Sequence, residues 1–245
     1  VEGYLFSLKR WYIKAIIPLS GLNSFKFIAK DLLIGKNSSI NMNIMNFLSI
    51  DCTMDMGSLF LKIKNKTFSK VLQSDKFNND LLMKQILDFF IENNIKFDDI
   101  SKIFVNQGPG SFSSLRGSLA IAKGVSISKN LDLFGYDTFI WSCSKFFEKE
   151  NFIYSLVKFR EKYFIKKFDK NLKGVSKPIE IQEEEIIKSY NEEFKVIPKN
   201  MIESFDRRIL KLNNLKIVDL DHNELEFLQL KGLLDENLIK PLYLS

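Results

Sequence analysis

The chain has 245 residues, 45% of them hydrophobic and 27% charged, with a formal net charge of +6. That length suits one two-lobed unit or two small domains with a sizeable core, and no apolar run approaches the roughly 18 residues of a membrane span. The charge is uneven: residues 1–44 hold six Lys or Arg against Glu2 and Asp31, a net +4, which leaves +2 for the other 201. A body so close to neutral gives weak support to direct nucleic-acid binding, which needs clustered cations. Cys52 and Cys143 stand in no metal or redox spacing and read as reduced, buried thiols of a cytoplasmic protein.

Residues 1–44 behave as an extension, artefactual or disordered, outside the fold. Leu5, Phe6, Leu8, Trp11, Tyr12, Ile13, Ile16 and Ile17 crowd among Lys9, Arg10 and Lys14, until Pro18 and Gly21 break the pattern. The segment lacks the apolar core and cleavage site of a secretory signal. Two readings stand: a basic amphipathic helix for a membrane or nucleic-acid surface, and, preferred, a translation start at Met45.

From Met45 the pattern becomes regular, and residues 45–145 are expected to form a first lobe and 146–245 a smaller second one. Phe47–Ile50 reads as a strand entering Asp51-Cys52-Thr53, followed by a turn with Asp55 and Gly57. Leu59, Leu61 and Ile63 then alternate as a return strand. A carboxylate at such a strand end, Asp51, can cap the backbone of the turn. A helix is expected from about Asn79 to Asn93, with Leu82, Ile86, Phe89 and Phe90 at helical spacing and Asn79 or Asp80 as cap. Met83 and Leu87 widen the apolar stripe beyond one core contact, which leaves room for a partner surface.

The most informative run is Val105 to Gly117. A strand, Ile103–Val105, breaks at Gly108-Pro109-Gly110 and a helix follows from Ser113 to Lys129. Backbone N–H groups of Gly108, Gly110 and Ser111 at the positive end of a helix suit an anion-holding or a backbone-docking corner. Two phosphate fingerprints fail: a dinucleotide loop needs glycine where Ser113 stands, and no Lys-Ser or Lys-Thr follows as a Walker A loop requires. Along the helix Ser118 stacks over Ala122 and Ala120 over Gly124, so another helix backbone can come close. Gly117 and Gly124 each cost about 1 kcal/mol of helix propensity relative to Ala, a cost offset most readily by close packing. Arg116 lies in the first turn, where the dipole disfavours a cation; a carboxylate, carbonyl or phosphate partner is expected, first of all an internal salt bridge.

Beyond it, Leu131–Gly135 reads as a strand and Thr138 as the start of a helix carrying Trp141 and Phe147. Phe152 to Phe168 reads as one or two strands around Arg160-Glu161-Lys162-Tyr163, and Glu183-Glu184-Glu185 as a solvated helix face. His222 stands alone in a polar stretch.

The run from Gly108 to Gly124, G-P-G-S-F-S-S-L-R-G-S-L-A-I-A-K-G, closely resembles the signature of the TsaB family of tRNA threonylcarbamoyladenosine biosynthesis subunits, a YeaZ-type branch of the glycoprotease-like superfamily. There G-x-G-P-G-S-F-T-G-L-R precedes a helix ending A-K-G; this chain departs at Gln107, Ser113 and Ser114. Asp51-Cys52-Thr53 resembles the family's D-T-S opening, and Pro241-Leu242-Tyr243-Leu244 its closing P-x-Y-L-R with Ser245 at the arginine. The family's histidine motif before the first helix is missing, and the Asp of its later hairpin is replaced at Val157 or Lys158. The resemblance is specific over 47–140.

It implies an α/β fold of the actin-like, sugar-kinase and chaperone ATPase type (ASKHA): two lobes, mixed sheets, flanking helices. It implies a non-catalytic subunit that forms a heterodimer with a TsaD-like catalytic paralogue and activates it, with a TsaE-like ATPase engaging the pair and tRNA met indirectly. The implied partner face comprises Leu82, Ile86, Phe89, Arg116, Gly117, Ala120 and Gly124, and Asp51 falls at the fold's metal–phosphate position. No catalytic or metal residue and no cofactor is expected of this chain, ATP, ADP and metal belonging to the complex; self-pairing of the isolated chain stays open. The alternative is a nucleotide-binding or metal-dependent enzyme of the same superfamily. Against it, lone His222 cannot supply an H-x-x-x-H metal pair.

Overall fold

The computed structural model describes residues 45–53, 57–72, 79–236 and 238–244. The expectations for residues 1–44, for Asp55 in the first turn, for the caps Asn79 and Asp80 and for Ser245 lie outside the described residues and side chains.

The first lobe is a five-stranded mixed sheet: β1 (Phe47–Asp51), β2 (Ser58–Ile63), β3 (Lys66–Val71), β4 (Lys102–Asn106) and β5 (Asp132–Tyr136), in the order β3-β2-β1-β4-β5. β1, β2 and β3 form an antiparallel meander, while β4 and β5 run parallel to β1. Every residue of central β1 is buried, as a strand covered on both faces requires. Period-two alternation sorts the side chains. Leu48, Ile50, Leu59, Leu61, Ile103 and Val105 face one core, which includes Leu82, Ile86, Phe89 and Phe90 of α1 (Asn79–Glu92) and Leu119, Ala122 and Val125 of α2 (Phe112–Lys129). Phe47, Phe60, Phe104, Phe134 and Tyr136 face a second core, which runs on into the other lobe. β3 goes beyond the sequence reading. It is a polar edge strand, with Lys66, Thr67 and Ser69 exposed, and carries no apolar alternation to announce it.

The second lobe repeats this topology. β6 (Phe152–Phe159), β7 (Lys162–Asp169) and β8 (Ile179–Ile181) form the meander, and β9 (Lys195–Pro198) and β10 (Leu215–Val218) run parallel to β6, giving β10-β9-β6-β7-β8. The stretch read as one or two strands is a hairpin. Arg160 and Glu161, both at positive φ, form the two-residue turn that matches strand twist. Helices α3 (Thr138–Cys143), α4 (Glu183–Ser189), α5 (Arg207–Leu210) and α6 (Glu224–Leu230) complete the unit. All six residues of α3 are buried, and α3 packs against β6 and β9. Glu184 and Glu185 of α4 are exposed, as a solvated face requires.

After α6 the chain returns to the first lobe. Asp235 bridges Gly135 of β5, Gln107 Nε2 donates to the Lys240 carbonyl, and Leu242 N donates to the Gln107 carbonyl.

Candidate functional site

The glycine corner follows β4 directly. Asn106 Oδ1 accepts the Gly108 N–H at 3.0 Å while its Nδ2 donates to Thr138 Oγ1 at 3.1 Å, tying the corner to α3. Gly108 sits at φ +128°, and a Cβ there would stand 2.8 Å from the Leu242 carbonyl oxygen. A Cβ on Gly110 would stand 2.8 Å from Thr53 Cα. Both glycines thus make room for the chain's own backbone, the docking alternative for this corner. Ser111 is the N-cap of α2, its Oγ accepting the Ser114 N–H at 3.2 Å and donating to Ser114 Oγ at 2.6 Å. The serine at the family's glycine position therefore reinforces the cap.

Asp51 ends β1 beside this corner. Its Oδ1 accepts both the N–H (3.0 Å) and the Oγ1–H (2.7 Å) of Thr53, the turn-capping role. Burial pushes its carboxyl above the usual range, against the lowering effect of the Thr53 and Asn106 hydrogen bonds. Asp51 also lines an open cleft between the lobes, about 370 Å³, with Ser58, Trp141, Lys199, Asp219 and His222.

His222 is the residue that sequence reasoning missed. Its ring stacks on Phe60 (4.8 Å between centroids, 11° between planes) and lies 4.8 Å from Trp141. Nδ1 stands 3.0 Å from Ser49 Oγ, which is 3.1 Å from the Tyr136 hydroxyl. His222 therefore joins the second lobe to β1, β2 and α3, and burial pulls its pKa down to about 4, so it is neutral at physiological pH. Of the remaining cleft acids, Asp219 is paired with Lys199 at 3.0 Å. Among the described residues no three His, Cys, Asp or Glu side chains stand together. Burial pushes both thiols up, Cys143 to about 12, which leaves neither as a nucleophile at neutral pH.

The partner face expected from the sequence divides in two. Leu82, Ile86 and Phe89 are corrected: all three are buried in the first lobe's own core, out of a partner's reach. A stripe that is apolar all round one side cannot say which part meets the sheet. The exposed apolar residues of α1 are Leu81, Leu87 and Ile91, the last 75% exposed, while Met83 packs partly against the first lobe's core. α2 separates cleanly. Ser114, Leu115, Ser118, Leu119, Ala122 and Val125 face inward, whereas Arg116, Ala120 and Gly124 are exposed, Gly117 is half-buried, and Ile127 is 83% exposed. A Cβ built on Gly124 meets none of the described residues within 4 Å beyond the helix's own backbone. Arg116 also corrects its expectation: it makes no ion pair among the described residues. Instead its guanidinium lies over the Phe112 ring and its Nε donates to the Tyr243 hydroxyl.

Two lobes, each a five-stranded mixed sheet of one topology flanked by helices, with a cleft between them, define an actin-like ATPase fold. YeaZ from Pseudomonas aeruginosa superposes with a TM-score of 0.59 at 13% identity, over 82% of this chain and 100% of that one. A second Pseudomonas aeruginosa structure, an uncharacterized protein with similarity to peptidase YEAZ, gives 0.59 at 12% identity over 82% and 100% of the two chains. Residues 74–152 match the family profile described as TsaD, tRNA N6-adenosine threonylcarbamoyltransferase. A stretch of 90 residues is 32% identical to the tRNA threonylcarbamoyladenosine biosynthesis protein TsaB of Buchnera aphidicola subsp. Baizongia pistaciae. That match covers 36% of this chain and 40% of the curated relative's length. The fold is thus that of YeaZ, while the sequence likeness to the TsaD profile and to TsaB covers only part of the chain.

Proposed function

We propose that this chain is the non-catalytic, TsaB-like subunit of an assembly that forms threonylcarbamoyladenosine on tRNA, and that the outward face of α1 and α2 receives a TsaD-like catalytic subunit. The observation that carries this is Gly124. A glycine inside an 18-residue helix costs about 1 kcal/mol relative to Ala. Among the described residues, none outside the helix's own backbone occupies the space that the missing Cβ vacates. That room is open to a helix of a partner subunit. The small residues Gly117, Ala120 and Gly124 admit a close helix crossing, and Leu87, Ile91 and Ile127 supply exposed apolar area around it.

In this reading the chain positions and activates its paralogue. A TsaE-like ATPase engages the pair, tRNA is met through the catalytic subunit, and ATP, ADP and metal belong to those proteins. The test is co-purification with the TsaD-like subunit of the same source. Wild type is expected to pair; Gly117→Leu and Ala120→Leu are expected to stay folded and lose pairing. Unimpaired pairing of both variants would overturn the assignment of the face.

A further inference from the structure

The outward face of α2 opens with a cluster that close helix packing does not require. Arg116 lies 3.8 Å from the Phe112 ring centroid, and its Nε donates to the Tyr243 hydroxyl at 3.0 Å. The Phe112 and Tyr243 rings stack at 5.2 Å and 23°. Tyr243 arrives from the far end of the chain, in the segment that Gln107 pins to the first lobe through Lys240 and Leu242. Yet Phe112 and Tyr243 remain 50% and 45% exposed. The guanidinium is thus fixed on one ring face and through one nitrogen, while its two terminal nitrogens have no partner among the described residues.

We propose that Arg116, held by Phe112 and Tyr243, is a carboxylate-reading anchor of the docking face: an Asp or Glu on the partner subunit closes a two-point pair with the terminal nitrogens as that subunit covers the two rings. This rests on the pairing reading above. A planar guanidinium matches a carboxylate in two parallel hydrogen bonds, and one already immobilised loses little further freedom on doing so. Arginine framed by aromatic residues is also the composition at which interface energy concentrates. The charge setting selects an acidic protein surface over a nucleic-acid backbone. The nearest outward residues of α2 are Ser113, Gly117 and Ala120, and the next cation on that face, exposed Lys123, stands two turns on, so the cluster itself holds one charge where phosphate tracking needs several close together. Tyr243 is then a positioning residue, and through it the tail takes part in the interface.

The experiment is calorimetric titration of the TsaD-like subunit with the full chain, at low and moderate salt, with circular dichroism to verify folding. Arg116→Ala is expected to weaken pairing about 10- to 100-fold and to remove much of its salt dependence, and Arg116→Lys to recover little of the loss. Tyr243→Phe, which keeps the ring and removes the hydroxyl, is expected to weaken pairing severalfold through faster dissociation. Folded Arg116→Ala and Arg116→Lys that both pair like wild type would overturn the anchor and leave the pairing reading standing. A wild-type chain that does not bind the subunit would overturn both. Loss of tRNA binding with pairing intact would make the group a phosphate contact and overturn the carboxylate assignment.

Discussion

Gly124 offers a perturbation whose two consequences point in opposite directions. Replacing it with Ala adds one methyl group at a helix position where, apart from the helix's own backbone, no atom of the described residues lies within 4 Å. Nothing is displaced, so the change reduces to helix propensity and unfolded-chain entropy, together about 1 kcal/mol in favour of the folded monomer. For a chain of this size that corresponds to a rise of about 2–4 °C in Tm, readable by calorimetry of the isolated protein. Gly124→Leu should also fold, because its longer side chain points into the same open space. It should, however, weaken pairing with the TsaD-like subunit at least tenfold, since overpacked contacts cost about 1–3 kcal/mol. The reasoning fails if Gly124→Ala leaves Tm unchanged or lowers it, or if Gly124→Leu pairs as tightly as wild type.

Further predictions concern the interior. His222 is held neutral, its pKa falling from 6.5 to about 4 on folding; its contribution is complete above pH 6.5 and is lost as pH falls through 4. The loss amounts to about 3 kcal/mol, and urea unfolding between pH 7 and 4 should show a slope that His222→Asn largely removes; an unchanged slope would contradict the burial account. For Asp51 the sign is reversed. Burial raises its carboxyl, so keeping the charge at neutral pH works against folding. Asp51→Asn, still able to accept from Thr53, should raise stability at pH 8 with the gain vanishing below pH 4; a loss at pH 8 would refute this. Lys195 is fully buried, and its Nζ donates to the carbonyls of Tyr190, Asn191 and Glu193. Lys195→Met strands those acceptors and should cost about 3 kcal/mol in denaturant unfolding; a change near zero would show that water replaces the ammonium.

What was legible in the sequence followed from local periodicity. β1, β4, β5 and α2 announce themselves because alternating or small-residue patterns persist through each element and turn residues bound it. β3 carries only Phe68 and Val71 as apolar residues, so nothing local separates it from a loop; its pairing with β2 defines it. The duplicated topology of the lobes is likewise invisible, because strand order is a property of pairing and not of composition. Leu82, Ile86 and Phe89 were assigned to the wrong side of α1, since an apolar stripe reads the same under a sheet or a partner. For Arg116 the dipole argument correctly demanded a partner, but Phe112 and Tyr243 answered it in place of a carboxylate. His222 was hidden by its polar neighbours, and the groups that bury it, Phe60 and Trp141, come from distant segments.

The central claim is that a second protein lies against α2, and site-specific photocrosslinking tests it most directly. With a photoreactive amino acid at position 120, the account predicts a covalent adduct with the TsaD-like subunit, and none from position 188 on α4 of the second lobe. An adduct from position 188 with none from position 120 would contradict it.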